Sequence, residues 1–367
     1  MSSVLPRWAD VILIPLLSVI IAFTVAGLVV LIIGESPWEA VKIMIQGSLG
    51  SDYGIGYTLY FATNFIFTGL CVAIAFHASL FNIGGEGQAA IGGLGVALIG
   101  LTLDQTSWLI TLPLTIIASG AAGAAWAAIP AYLQAKRGSH IVITTIMFNF
   151  IAAALMVYLL NDVIKAPGSQ SPETRRFAEG AQLPRMDEMA AWFGISISRS
   201  PLNISFFVAL LASLFTWLFI WRTKTGYALR AFGQSEPAAL YAGINPIRIT
   251  MIAMLLSGAM AGMMALNTVM GDQQRLLADH VQGAGFVGIA VALMGRSHPV
   301  GVILAAILFG ILYQGGAELS FMMPSIPSQM ILVIQALVIL FAGALENMVR
   351  FPLERLFIMF GLNKRVE

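Results

Sequence analysis

The sequence predicts an all-α, polytopic transmembrane bundle, and three observations lead there. Long apolar stretches recur along the 367 residues, charged residues make up only 10% of the chain, and mean hydropathy is +0.87. A soluble domain carries roughly 25% charged residues, which cover its surface with groups that water solvates. A helix rises about 1.5 Å per residue, so roughly 20 apolar residues cross the hydrocarbon layer with each backbone polar group paired inside the helix.

With the N-terminus in the cytoplasm, the apolar runs give ten crossings: 11–34, 55–80, 84–103, 108–133, 139–161, 204–221, 249–270, 284–295, 299–316 and 329–346. Arg7 precedes the first run and no small-x-small cleavage pattern follows it, so 11–34 is expected to stay as a spanning helix. The runs from 55 to 161 carry Gly84-Gly85, Gly92-Gly93-Gly95 and Gly120 with Gly123, and 249–270 carries Gly258 with Gly262. Small residues at such spacing let helices approach closely, which is how helices associate in lipid. The run 284–295 is too short for an ordinary span. Gly283, Gly285 and Gly288 loosen it and Gly295-Arg296-Ser297-His298-Pro299 ends it. A broken or half-penetrating helix near 284–299 satisfies the same pattern, and such breaks are tolerated inside protein or beside a hydrated path. The count is therefore nine to ten.

Charge supports this orientation, because Lys and Arg favour cytoplasmic loops. Arg7, Lys136, Arg137, Arg222, Lys224, Arg230, Arg248, Arg296, Arg350, Arg355, Lys364 and Arg365 fall inside, twelve basic residues against six acidic ones (Asp10, Glu86, Glu236, Glu346, Glu354, Glu367). The other face holds seven basic residues and twelve acidic ones, among them Glu35, Asp52, Asp104, Glu173, Asp187, Glu188, Asp272 and Glu318. Both termini are expected in the cytoplasm, and residues 1–367 form one transmembrane domain. Two loops stand out. The outer loop 162–203, with Pro167, Pro172, Pro184 and Pro201, reads as an irregular or partly helical cap, a docking surface or a passive linker. The other is the cytoplasmic loop 222–248.

No catalytic residue emerges. The GxxxxGK[ST] phosphate loop, HExxH and GxSxG are all absent, Cys71 is the one cysteine, and the four histidines are scattered, so neither a disulfide within the chain nor a metal site is expected. The polar residues within apolar runs are more informative. Asn64, His77, Asn82, Glu86, Gln88, Asn149, Asn267, Gln282 and Gln335 suggest an interior that exchanges water for a small polar solute, with Phe61, Phe65, Phe76 or Phe148 available to an aromatic one. Asn64, Asn82, Glu86, Gln88, Asn149 and Asn267 are the translocation-path candidates. If the turn is already helical at residue 82, Asn82 and Glu86 share a face and Gln88 points elsewhere. A buried charge in lipid is costly. Glu86 is therefore expected near the cytoplasmic interface, facing a hydrated path, protonated or paired, or in the first turn of the 84–103 helix, where free N–H groups gather.

In the cytoplasmic loop, Glu236-Pro237-Ala238-Ala239-Leu240-Tyr241-Ala242-Gly243 predicts a short helix. Proline lacks an N–H that the first turn does not need, and Gly243 and Pro246 end the helix. Leu240 and Tyr241 offer apolar contact, and Arg230 and Glu236 polar orientation. By composition the stub fits a groove on a soluble partner or the bilayer surface equally well.

Two motifs together resemble the branched-chain-type permeases of ATP-driven importers, in particular the subgroup served by nucleoside-type, basic-membrane-protein-like binding proteins. Glu236, Ala238-Ala239 and Gly243 are similar to the EAA…G importer loop, with the departure that Pro237 stands between Glu and the Ala pair. Phe81-Asn82-Ile83-Gly84-Gly85-Glu86-Gly87-Gln88 resembles the N-I-G-x-E-G-Q signature of that group. The similarity runs from about residue 55 to 346. It implies a non-catalytic permease of a bacterial inner membrane that binds no cofactor. ATP and its magnesium belong to a separate cytoplasmic ATPase with two fused nucleotide-binding domains. The resemblance further implies a second homologous permease subunit, an extracytoplasmic substrate-binding lipoprotein and a small polar solute, with no nucleic acid among the partners. Arg230, Gly233, Glu236, Pro237, Ala238, Ala239, Tyr241 and Gly243 would couple to the ATPase. Nucleosides are the cargo implied, with simple sugars as the alternative. A secondary transporter driven by an ion gradient would work alone and need an acidic or Asn-rich ion site, and a membrane scaffold would show no solute flux.

Overall fold

The computed structural model describes residues 13–340 and 346–359, together with Pro6 and Ala9. Arg7, Asp10, Lys364, Arg365 and Glu367 of the charge count lie outside the described residues. Regular structure among the described residues is helical, with two isolated antiparallel bridges, Glu173 with Leu277 and Arg185 with Asn203. In chain order the helices are α1 (Ile14–Ile33), α2 (Pro37–Leu49), α3 (Asp52–Phe76), α4 (Gly85–Leu103), α5 (Trp108–Arg137), α6 (Ile141–Tyr158), α7 (Met186–Ala191), α8 (Ser205–Arg222), α9 (Lys224–Gln234), α10 (Glu236–Tyr241), α11 (Pro246–Met263), α12 (Ala284–Met294), α13 (Pro299–Met322), α14 (Ser328–Ile339) and α15 (Glu346–Met359).

Eight segments are long and apolar enough to cross a membrane: Leu16–Ile33, Asp52–Phe76, Gly85–Leu103, Trp108–Arg137, Ile141–Val163, Ser205–Arg222, Pro246–Asp272 and Pro299–Met322. They match eight of the ten predicted runs. The other two fall short among the described residues: 284–295 is the 11-residue α12, and 329–346 is the 12-residue α14 followed by 341–345, which lie outside them. The apolar pattern predicts no helix between 35 and 54, yet α2 stands there. Ser36 accepts the Glu39 N–H at 3.4 Å and Pro37 occupies the first turn, a start signal independent of hydropathy.

The chain divides into two compact units, Met1–Gly54 with Ile311–Glu367, and Ile55–Gly310. In the first, α1 packs with α2, α14 and α15. Gln335, one of the polar candidates, donates to the Leu312 carbonyl at 3.2 Å, and the Ser325 hydroxyl donates to the Glu35 carboxylate.

The second unit is built around α4, which contacts α5, α6, α11 and α12 and is buried on nearly all sides. Its tightest seam joins α5 to α11. A Cβ at Gly123 would strike the Gly258 carbonyl, one at Gly262 the Ser119 carbonyl, and one at Gly92 the backbone of Gly262. The glycine runs thus serve backbone-to-backbone packing, the main source of helix association in lipid. Past Met263 the helix widens into a π-helical stretch, Leu266–Asp272, a geometry enriched at functional sites.

Residues 162–203 are a partly helical cap, with α7 and a 3₁₀ turn at Glu179–Ala181. The cap is latched to the 273–281 loop: Thr174 N–H donates to the Leu276 carbonyl at 3.1 Å and Phe177 N–H to the Gln274 carbonyl at 2.8 Å. Asp104 accepts from the Arg175 guanidinium at 2.5 Å and from the Ala178 N–H at 3.1 Å. The Arg175 hydrogen bond holds the Asp104 carboxyl below the usual carboxylate range.

Candidate functional site

Five of the six translocation-path candidates fall into two polar clusters in the second unit, each joining α3 to the α11 segment, and Glu86 stands apart from both. Asn267 centres the first. Its amide donates to the Tyr60 carbonyl at 2.9 Å and to Asn64 Oδ1 at 2.8 Å. Its Oδ1 accepts from Asn203 Nδ2 at 2.8 Å and from the Ser205 hydroxyl at 3.0 Å. One side chain on the π-helical stretch therefore ties α3 to the start of α8. The Tyr60 hydroxyl donates to Asp272 Oδ2 at 3.0 Å, at the far end of the same stretch. Thr268 is buried beside Asn267, and its hydroxyl has no hydrogen-bond partner.

Asn82 and Gln88 form the second cluster as a reciprocal amide pair. Asn82 Nδ2 donates to Gln88 Oε1 at 2.8 Å, and Gln88 Nε2 donates to Asn82 Oδ1 at 3.1 Å. Asn82 also donates to Ser257 Oγ at 2.8 Å, and Ser257 in turn donates to the Cys71 carbonyl at 2.6 Å. Asn149 on α6 reaches the same turn: its amide donates to the Ile83 carbonyl at 2.9 Å, and its Oδ1 accepts the Gly87 N–H at 2.9 Å. That N–H lies in the first turn of α4 and has no intrahelical acceptor, so Asn149 caps α4 from a neighbouring helix.

The helix begins only at Gly85, with Gly84 as its cap, so the condition for Asn82 and Glu86 to share a face is not met. Asn82 pairs with Gln88 instead. Glu86 does lie in the first turn of α4. Its half-buried carboxylate also accepts the N–H groups of Gly283 and Gly285, each at 2.8 Å, at the start of α12. Two positive helix ends meet at one carboxylate.

Of the remaining candidates, His77 follows α3, and its Nε2 donates to the Ser297 carbonyl at 3.0 Å while its ring meets Trp221 edge-on at 5.1 Å. Burial holds its imidazole below the usual histidine range. Gln282 is exposed. Phe65, Phe76 and Phe148 pack on Phe309, Phe81 and Trp126. Sequence reasoning missed Asn203, Ser205, Ser257, Tyr60 and Asp272. Asn203 carries a start signal, an Asn just ahead of an apolar run, and its side chain accepts the Ser205 N–H at 3.0 Å.

The 222–248 segment folds as two short helices. Ser235 caps α10 through the Ala238 N–H at 3.4 Å, Pro237 lies in the first turn, and Gly243 ends the helix with φ +79°, a conformation that glycine adopts without strain. Ala239 is buried among Ala78, Leu80, Leu229, Phe232 and Met254, while Tyr241 is 97% exposed and Glu236, Pro237, Ala238 and Gly243 face outward. Gly233 packs on the His77 carbonyl so closely that a Cβ would strike it, and Ser79 Oγ donates to the Gly233 carbonyl at 2.5 Å. Arg230 is half-buried on α9. A cleft of about 300 Å³ opens between Ser79, Gln134, Gly233, Ser235, Glu236 and Thr250. Among the described residues no group of three or more His, Cys, Asp or Glu side chains could hold a metal ion.

Residues 54–343 match the family model described as branched-chain amino acid transport system, permease component. The chain is 34% identical to the guanosine ABC transporter permease protein NupP of Bacillus subtilis, covering 94% of this chain and 96% of that one. It is 32% identical to the glucose ABC transporter permease protein TsgB13 of Haloferax volcanii (92% and 88%) and 29% identical to the nucleoside ABC transporter permease protein NupB of Lactococcus lactis (90% of each). No solved structure matches the chain. Membership of this family carries the expectation of an ABC ATPase and a substrate-binding protein as partners. The chain is a multi-pass membrane protein, a permease subunit of an ABC importer, and belongs to the branched-chain amino acid transport system permease family.

Proposed function

We propose that this permease imports nucleosides. The similarity to the guanosine permease over nearly the full length of both chains carries the reading, and the Lactococcus nucleoside permease supports it. The similarity to the Haloferax glucose permease favours a second cargo class, simple sugars. The permease itself performs no covalent chemistry. A cytoplasmic ATPase with two fused nucleotide-binding domains hydrolyses ATP, a second homologous permease completes the pathway, and an extracytoplasmic lipoprotein delivers the solute. Both termini and the 222–248 segment face the cytoplasm.

In this reading α10 is the coupling helix. Its exposed face, led by Tyr241 and Leu240, meets the ATPase, and the buried Ala239 makes it move with the bundle. The Asn64–Asn267 cluster lines the solute path, where rearranged amides exchange partners with a polar solute. The Asn82–Gln88–Asn149 cluster frames the path, because Asn82 and Gln88 spend their polar atoms on each other and Asn149 spends its own on the backbone of Ile83 and Gly87. ATP-driven displacement of α10 shifts the balance between outward- and inward-open states by binding them unequally.

The test is uptake by the complete complex in proteoliposomes, with radiolabelled guanosine, uridine, ribose and glucose offered separately. Nucleoside uptake that requires both the binding protein and ATP is expected. Uptake of sugar alone would assign the second cargo. Uptake by the purified permease without an ATPase would refute the importer mechanism.

A further inference from the structure

The α12 helix is held at both ends by side chains that do other structural work. At its start, Glu86 accepts the N–H groups of Gly283 and Gly285 at 2.8 Å each. The fit leaves no slack: Gly283 enters the helix with φ +78°, and a Cβ on Gly285 would strike the backbone of Glu86. At its middle, a Cβ on Gly288 would lie 2.6 Å from Thr68 of α3. At its far end, the turn closes with Ser297 N–H on the Ala292 carbonyl at 2.8 Å, and the Ser297 carbonyl accepts from His77 at 3.0 Å. Arg296 and Ser297 both hold positive φ, 50° and 53°, so this turn has little freedom to stretch.

The two ends of α12 touch the two parts of the molecule that transport must connect. His77 adjoins the coupling segment, since Gly233 of α9 packs on its carbonyl and Ser79 is bonded to Gly233. Glu86 lies in the first turn of α4, in the chain between Asn82 and Gln88, whose side chains pair with each other, and next to Gly87, whose N–H Asn149 accepts. An 11-residue helix is about 16 Å long, so α12 spans roughly half of a 30 Å hydrocarbon layer. It is too short to anchor itself across the bilayer. Its position is therefore set by what grips its ends together with the close packing of Gly288 on Thr68.

We propose that α12 is a connecting rod and that Glu86 is a positioning residue for transport: the carboxylate at one end and His77 at the other carry displacement of the coupling segment to the 82–88 turn. This rests on the assignment of 236–243 as the coupling helix. The carboxylate suits the task because charge-assisted bonds to two N–H groups at a helix start are strong while the geometry holds and weaken steeply with misalignment. Glutamine at 86 keeps one acceptor oxygen and leaves one glycine N–H without a partner.

The experiment uses the complete complex, with its ATPase, second permease and binding protein, in proteoliposomes. Solute uptake, ATP hydrolysis and the ratio between them are compared for wild type, Glu86→Gln, His77→Ala and the double variant. Glu86→Gln is expected to lower solute moved per ATP by about tenfold, the scale of one lost charge-assisted hydrogen bond, and His77→Ala by about fivefold, the scale of one neutral hydrogen bond, while ATP hydrolysis continues. Because the two grips act in series, the double variant is expected to match the worse single one. An unchanged ratio in both singles overturns the proposal, as does a double variant whose loss is the product of the two. Parallel loss of hydrolysis and uptake at constant ratio overturns it too. If Glu86→Gln fails to assemble, the ratio in His77→Ala decides. Crosslinking of a Tyr241→Cys variant to the ATPase, run alongside, reports the coupling-helix assignment separately: absence of that crosslink in an otherwise wild-type background breaks the underlying reading whatever the ratios show.

Discussion

Replacing Asn267 by Leu tests whether the polar cluster on the π-helical stretch holds the second unit together. The two side chains are similar in volume, so the change removes hydrogen bonds more than packing. Four are lost, to the Tyr60 carbonyl, Asn64, Asn203 and Ser205. Hydrogen bonds between helices in a membrane average about 0.6 kcal/mol, so four contribute about 2.4 kcal/mol. The true cost is larger, because the partners differ in what they keep. Asn203 retains the Pro201 carbonyl at 3.0 Å, and the Tyr60 carbonyl lies in a helix, but Asn64 Oδ1 and the Ser205 hydroxyl each lose their acceptor or donor at a buried site. Each of these two unpaired buried groups adds about 1–3 kcal/mol. The expected loss is therefore about 4–8 kcal/mol, read as the shift in unfolding midpoint when the protein in mixed micelles is titrated with a denaturing detergent. Asn161→Leu, at an exposed position, is the control and should change stability by less than about 0.5 kcal/mol. If Asn267→Leu shifts the midpoint no more than that control, the cluster does not carry the connection between α3, α8 and the π-helical stretch.

Gly262→Val should force α5 and α11 apart, since its side chain meets the Ser119 carbonyl, and should lower the yield of folded protein by size-exclusion chromatography; Val at the more open Gly120, whose nearest neighbours are 3.8 Å away, should be tolerated better. Ala239→Glu places a carboxylate in an apolar cluster and should destabilise the protein by about 3 kcal/mol or more, measured by thermal unfolding, whereas Tyr241→Ala should leave unfolding unchanged and reduce only the uptake rate. The Asp104–Arg175 pair has a pH signature of fixed sign. Because the folded-state carboxyl is held below its ordinary value, its contribution is fully present above the ordinary carboxylate pKa and is lost as pH falls through the depressed one. Hydrogen-exchange protection factors in 174–180, corrected for the intrinsic pH dependence of exchange, should therefore fall on acidification below the ordinary carboxylate range, and Asp104→Asn should remove that step; pH-independent protection factors in the wild type would refute the latch.

Most of the spanning scaffold was legible because lipid imposes one strong rule, a long apolar run closed into a helix, and eight runs obey it. What escaped was structure governed by other rules. The α2 helix is announced by Ser36-Pro37-Trp38-Glu39, a capping pattern that hydropathy does not register. The π-helical stretch is invisible, since Leu266–Asp272 has the composition of an ordinary helix end. The site was half legible. Asn64, Asn82, Gln88, Asn149 and Asn267 stood out as polar residues in apolar surroundings, but their pairings span up to 207 residues and follow from helix packing. The paired N–H groups of Gly283 and Gly285 offered no side-chain signal at all. Gly243 and Pro237, by contrast, marked the ends of α10 through backbone geometry alone, and the structure follows them.

The burial of Cys71 has a practical consequence. Its sulfur is fully enclosed between Asn82, Gln88 and Ser257, and the chain contains no second thiol. Water-soluble maleimides should pass the folded protein by. A single reporter introduced at 241, at 193 or elsewhere along the 162–203 cap can then be read against a silent background, without first altering the polar frame that the native sulfur helps to fill.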